Sequence, residues 1–326
     1  MVKRRRPVRN IICVLMIVLL YAAAASVIVI GVKGYRMYED AISQMPIQER
    51  VELIREGEDF THYSELTEFY IKAVVSVEDH RFMNHSGLDP IAICRAALRD
   101  IMAGSFKEGG STITQQLAKN LLFTQEKKVE RKVAEIFAVF DIEEEYSKEE
   151  IFELYVNTSN FGSGYSGVYA ASKGYFDKLP SELTDYESAL LAGVPNAPSL
   201  YSPDVSLKLA SQRVGEVLQS MVRESVLTQE EADKIADCLT ITKDVDTAVS
   251  EADFIIEAII ENLEIKRELF RKISRICRPD AVLGTNSSNI VSSRLADVTV
   301  NPERLLNIHY FNPALVMQLV ELVKGG

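Results

Sequence analysis

The chain opens on basic residues, Lys3, Arg4, Arg5, Arg6 and Arg9, and then runs through residues 11–32 without a charge. About 20 apolar residues in a helix cross the ~30 Å hydrocarbon core of a bilayer. The apolar run continues past AAAAS, the stretch that resembles a signal-peptide cleavage site, into VIVIGV. A secretory signal has a shorter apolar region. The pattern therefore predicts an uncleaved transmembrane helix over 11–32, with residues 1–10 as a basic cytoplasmic tail and everything beyond Val32 outside. Residues 33–63 read as a polar linker with helical stretches. From Ser64 the period becomes helical. Ser64 is placed as the N-cap of SELTEFYIKAVVSVEDHRF, with Glu65 and Glu68 at the positive end of its dipole. DPIAICRAALRDIMAG enters on Asp-Pro and stops at Gly104. Val129, Val133, Ile136, Phe137 and Phe140 form a 3.6-residue stripe. Ser147 and Glu150 make a capping box ahead of EEIFELYVN. No alternation of strand and helix precedes residue 240, so residues 64–240 form one mainly α domain. From residue 243 the pattern changes. DFIIEAI, AVLGTNSS and LLNIHYF read as strands, and ENLEIKRELFRKIS reads as a helix, which is α/β patterning.

Composition narrows the function. The formal net charge of -11 over 326 residues argues against nucleic acid as a partner. Cys13, Cys94, Cys238 and Cys277 share no metal spacing, and the four histidines make no zinc pattern. Gly162, Gly164 and Gly167 match G-x-G-x-x-G, the turn that holds a dinucleotide. That turn requires a strand before its first glycine. Here the preceding segment is a capped helix, and Glu182 and Asp185, about where a ribose-binding acid would stand, open another helix. The glycines therefore read as a loop between helices.

The remaining chemistry lies in VEDHRFMNHSGLD, EGGSTITQQLAKN and ERKVAEIF. Glu78 and Asp79 end an apolar helix. Ser111, Thr112, Gln115 and Gln116 offer hydrogen bonds, and Lys119 follows. Arg131 and Glu135 are four apart and share a helix face. Arg131, Lys132 and Lys119 are cations suited to an anionic leaving group such as a diphosphate. A separate carboxylate can take the proton of an attacking hydroxyl.

These motifs, with FGSGYSGVYAASKGYF and ALLAGVPNAPSLYSP, resemble the family 51 glycosyltransferases, the peptidoglycan transglycosylases, over about 64–205. The single anchor without a following penicillin-binding domain resembles the monofunctional members. The resemblance implies a lysozyme-like α-helical domain outside the cell membrane that polymerises lipid II into glycan strands. The reaction inverts configuration and releases polyprenyl diphosphate. It implies Glu78 as general base and Glu135 as the second essential carboxylate. Asp79, Ser111, Thr112, Gln116, Lys119, Asn120, Arg131 and Lys132 fall on substrate-binding positions. No dedicated cofactor is implied. The diphosphate leaves room for a divalent cation, magnesium or manganese. The partners are lipid II, the growing chain, membrane lipids and other cell-wall synthesis proteins. Asp177 stands where the family has Gly, which singles out one turn.

Residues 243–326 resemble the later half of the NAD-binding domain of 3-hydroxyacyl-CoA dehydrogenases. That match puts Ser288, His309 and Glu321 on catalytic positions, and Glu261, Lys266, Asn286 and Asn312 on cofactor or substrate contacts. The glycine turn for the pyrophosphate and the family's helical C-terminal domain are missing from these residues. The expectation is an incomplete α/β fragment, half of a Rossmann sheet, grafted on by a gene fusion, a rearrangement or an assembly artefact and inactive with NAD. The alternatives are dehydrogenase activity from this fragment, or a non-catalytic wall-associated scaffold.

Overall fold

A computed structural model describes residues 5–92, 94–95, 110–123, 128–310 and 320–324. They form two compact units, Met1–Leu239 and Thr240–Gly326.

The first unit is helical. Its leading helix α1, Arg5–Gln44, is unbroken, and within it Leu15–Gln44 is long and apolar enough to cross a membrane. The helix does not end at Val32, as the polar linker reading expects. It runs on to Gln44, where its last turns pack on α5, Val129–Glu145. Gly34 permits that approach. A Cβ there would meet Val133 Cβ at 2.6 Å and the Glu130 carbonyl at 2.9 Å. Tyr35 then sets its ring edge-on to Phe137, with centroids 5.1 Å apart. Helix α2, Ile47–Arg55, supplies Arg50, whose guanidinium donates to the carbonyls of Ala41, Met45 and Leu121. These carbonyls lie at or just past helix ends, where intrahelical donors run out.

Helix α3 is Glu68–Glu78, and its N-cap is Thr67, not Ser64. The Thr67 hydroxyl accepts from Tyr70 N at 3.1 Å, while Ser64 lies in a separate turn, Tyr63–Glu65. Next come α4, Ile113–Leu122, and α6, Lys148–Thr158, with the Ser147–Glu150 capping box in place. Six consecutive residues of α6, Ile151 to Val156, are buried. A helix covered on all sides is the centre of its domain; α4 packs on both α6 and α5. The remaining helices are α7, Val168–Phe176; α8, Asp185–Gly193; α9, Pro198–Tyr201; α10, Pro203–Arg223; and α11, Gln229–Ala236. Helices α3 and α10 pack on α8 and on each other.

The glycine loop joins α6 to α7 with no strand before it. Phe161 N donates to Tyr165 O at 3.0 Å and Tyr165 N to Gly162 O at 2.8 Å, closing a tight turn. Gly162 has φ +78, and a Cβ on it would lie 2.7 Å from the Pro198 carbonyl, so the glycine serves backbone packing. At the end of α7, Asp177 adopts φ 53, the left-handed conformation that glycine supplies most cheaply.

The second unit contains α12, Val245–Val249; β1, Phe254–Glu257; α13, Leu263–Ile276; β2, Val282–Thr285; β3, Leu305–Tyr310; and β4, Val320–Lys324. The sheet order is β1-β2-β3-β4. The first three strands are parallel and β4 is antiparallel, with His309 opposite Glu321. Helix α13 buries Lys266, Phe270, Ile273 and Ser274, one face at helical spacing, and joins a separate core with Leu283 and Leu305. The architecture is thus mostly helical, with a small mixed sheet that fits a half-Rossmann fragment.

Candidate active site

Glu78 is the last residue of α3 and lines a groove of about 940 Å³. Gln116 of α4 donates to its Oε2 at 2.7 Å. Its Oε1 is buried with no partner among the described residues. Burial pushes the carboxyl above the ordinary range and Asp79 adds to this; Gln116, Arg213 and Lys119 pull the other way. A carboxylate that holds a proton more tightly, with one oxygen unclaimed in a groove, has the properties of a general base.

Glu135 lies in a different environment. It is fully buried, but Arg131 donates to Oε1, and Lys132 Nζ stands 2.7 Å from Oε2 at an angle that is not a hydrogen bond. Lys132 also donates to Ser111 Oγ at 2.8 Å, which ties the start of α4 to α5. Lys119, one turn beyond Gln116, has its pKa lowered by burial first, with Lys132 and Arg131 contributing; Glu135 and Glu78 oppose. It therefore lies within electrostatic reach of both carboxylates. Three cations, Lys119, Arg131 and Lys132, against the single carboxylate of Glu135 leave two positive charges, a match for a diphosphate.

Several sequence-predicted site residues thus come together: Glu78, Gln116, Lys119, Glu135, Arg131, Lys132 and Ser111. Asn120 follows Lys119 on α4 and is partly exposed. Two others are used internally. The buried Asp79 accepts from Ile113 N at 3.0 Å and contacts His85 Nε2 at 2.9 Å, clasping the end of α3 to the start of α4. Thr112 is buried; its hydroxyl donates to Gly87 O at 2.6 Å and accepts from Gln115 N, capping α4. Both position the site and do not face its groove. Glu135 is not among the groove's lining residues, being closed off by its own cations.

Sequence reading missed Arg213 of α10, a groove cation that acts on Glu78. Its Nε donates to Gly193 O at 3.3 Å, and its guanidinium lies 5.4 Å from the Tyr201 ring centroid. A Cβ on Gly193 would meet Arg213 Cγ at 2.7 Å. The glycine of ALLAG is the only trace of this contact in the sequence, and its meaning depends on the fold. His80, Arg95 and Arg223 line the same groove.

In the second unit, Ser288 Oγ lies 2.9 Å from His309 Nε2, and His309 Nδ1 is 3.9 Å from Glu321 Oε2. Of the other expected contacts, Lys266 is turned inward, while Glu261 is exposed and Asn286 half-buried. Lys266 is fully buried, 2.6 Å from Glu257 and 3.2 Å from Glu261. Asn286 Oδ1 accepts from Tyr310 N at 3.1 Å. Asn312 lies outside the described residues. No glycine occurs between Gly215 and Gly284, so β1 is not preceded by the turn that would admit a pyrophosphate. The residues present do not fit NAD.

An apolar N-terminal helix leads into a helical domain that sets a basic carboxylate beside a surplus of cations, an arrangement whose charges suit an anionic group. Residues 45–222 match the Transglycosylase family model. That is more than half of the chain, and the chain belongs to this family. The chain is 47% identical over 169 residues to penicillin-binding protein 1A of Vibrio cholerae, covering 52% of this chain and 20% of that protein. It is 42% identical over 186 residues to penicillin-binding protein 1A of Aquifex aeolicus, covering 57% of this chain and 26% of the relative. The match thus spans well under a third of either relative's length. Residues 202–326 match the model of the 3-hydroxyacyl-CoA dehydrogenase NAD binding domain. The two matches overlap at residues 202–222, in α10, which packs within the first unit. The solved 3-hydroxybutyryl-CoA dehydrogenase of Escherichia coli is 36% identical, over 37% of this chain and 25% of that one, at a TM-score of 0.27.

Proposed function

We propose that the chain is a peptidoglycan glycosyltransferase that polymerises lipid II with inversion and releases polyprenyl diphosphate. The observation that carries this reading is the pairing of Glu78, basic and with one oxygen unclaimed, with the cation-clad Glu135 across Lys119. In this scheme Glu78 takes the proton of the acceptor's sugar hydroxyl. The freed oxygen attacks the anomeric carbon of the donor, and the bond from that carbon to the diphosphate breaks. Lys119, Arg131 and Lys132 neutralise the charge that develops on the departing phosphates, while Glu135 holds the last two in place. The basic N-terminal flank orients the helix with the domain outside the membrane. Membership of the family and the likeness to two penicillin-binding proteins support this reading.

Glu78→Gln in the full chain, assayed for glycan polymerisation from lipid II, tests it. Turnover is expected to fall by about 10²-fold or more, the scale of a lost general base. Turnover at the parent rate would reject it. Chelation with EDTA tests the divalent cation proposed to accompany the diphosphate, whose removal should slow polymerisation. The dehydrogenase alternative predicts NADH oxidation with acetoacetyl-CoA; with the cradle for the cofactor missing, none is expected.

A further inference from the structure

A second cationic pocket, apart from the groove at Glu78, lies where α1 meets α5. It has a volume of about 430 Å³ and is lined by Lys33, Arg36, Met37 and Asp40 of α1, with Phe123 and Arg131 opposite. Three of these six side chains are cationic and one is acidic. Lys33 has a loose ion pair with Glu130, at 3.8 Å, and Arg131 is engaged by Glu135. Arg36 makes no ion pair among the described residues.

Its place along the helix gives this pocket meaning. The apolar residues 11–32 end immediately before Lys33. At 1.5 Å per residue they span roughly 33 Å, close to the hydrocarbon thickness of a bilayer. Lys33 and Arg36 therefore stand at the level of lipid headgroups. Met37 and Phe123 supply apolar wall beside the charges, the combination a headgroup with its glycerol stem presents. The walls are held together, since Gly34 lies against Val133 and the Tyr35 ring against Phe137. The pocket is thus formed by a fixed helix pair.

We propose that this pocket binds the phosphate of an anionic membrane phospholipid, seating α5, and with it Arg131, on the bilayer surface. The shared chemistry is a phosphate anion, and the lipid headgroup is its source. The glycosyltransferase reading is not required, because lipid retention is measured without substrate.

Native mass spectrometry of the full chain, released from membranes containing phosphatidylglycerol and phosphatidylcholine, reads the retained lipid directly. Preferential retention of phosphatidylglycerol is expected. It should fall about fivefold for each cation lost in Lys33→Gln and Arg36→Gln. Asp40→Asn should raise it, a change that misfolding would not produce. Lys208→Gln, at an exposed cation on α10, should leave it unchanged. Retention unaffected by Lys33→Gln with Arg36→Gln would overturn the proposal, as would an equal loss from Lys208→Gln. Displacement of the lipid by millimolar inorganic phosphate would also overturn it, because the source would then be soluble phosphate.

Discussion

Glu78 and Glu135 are both carboxylates of buried helix segments, and their surroundings give them opposite properties. Burial raises the pKa of Glu78, so the folded state binds its proton more tightly than the unfolded chain does. The stability it contributes is present below the unfolded carboxylate pKa, about 4.3, and is lost as pH rises through the higher folded value. Above that folded value the wild type carries an ionised group with one unpartnered oxygen. Glu78→Gln should therefore be as stable as the parent or more stable at pH 7 by thermal unfolding, with the difference closing below pH about 4. The acid limb of the wild-type rate should lie above the ordinary carboxylate range, because the base works only when deprotonated. Glu135→Gln removes the acceptor of a buried ion pair. It leaves Arg131 buried without its carboxylate, and stability should drop by about 3 kcal/mol, as for other broken buried pairs. The Arg131–Glu135 relation was legible from i, i+4 spacing alone. Thr112 and Gln115 also spell a capping box, a signal of internal use that the reading of Thr112 as a substrate contact passed over. Arg213 was not legible, because its neighbour Gly193 is twenty positions away and only packing joins them.

At the scale of elements, hydrophobic period located most helices, and errors came where tertiary contacts decided an end. The polarity of residues 33–44 suggested a linker, yet that stretch continues α1 because Tyr38 and Gly34 find a partner in α5. Gly34→Val should force α1 from Val133, with a loss of about 1–3 kcal/mol, the usual scale of overpacking. Its expected readout is a lower unfolding temperature of the full chain in detergent. The turn after α7 was legible through one departure from the family pattern. Asp177 takes the left-handed conformation that the usual glycine would take without strain. Asp177→Gly should stabilise the chain by about 1 kcal/mol. Its ion pair with Lys173, 3.6 Å long and exposed, contributes too little to offset that gain. A lower unfolding temperature in this variant would show that Asp177 is held there by something other than its backbone. In the second unit β4 went unrecognised, because its outward residues Val320, Leu322 and Val323 are exposed and show no in–out alternation.

At the scale of the molecule, each unit has its own core. Tyr70, Phe152 and Tyr155 are buried in the first, and Phe270, Leu283 and Leu305 in the second. Every residue of the proposed glycosyl-transfer site lies in the first. The second keeps Ser288, His309 and Glu321 in line but has closed Lys266 into an ion pair, and it offers no glycine turn to a cofactor. The helix that both family matches reach, α10, packs on α3 and α8 within the first unit, where it supplies Arg213 to the groove. A cut before residue 203 should therefore destroy activity, whereas a cut after Leu239 should not. A chain of residues 1–239 is expected to polymerise lipid II within about twofold of the full chain, since the substrate-facing groups and their supports all remain. Calorimetry of the full chain should show two transitions, of which the shortened chain keeps one. If the shortened chain folded with the same transition but had lost its turnover, the second unit would have a part in the reaction that its closed Lys266 and missing glycine turn argue against.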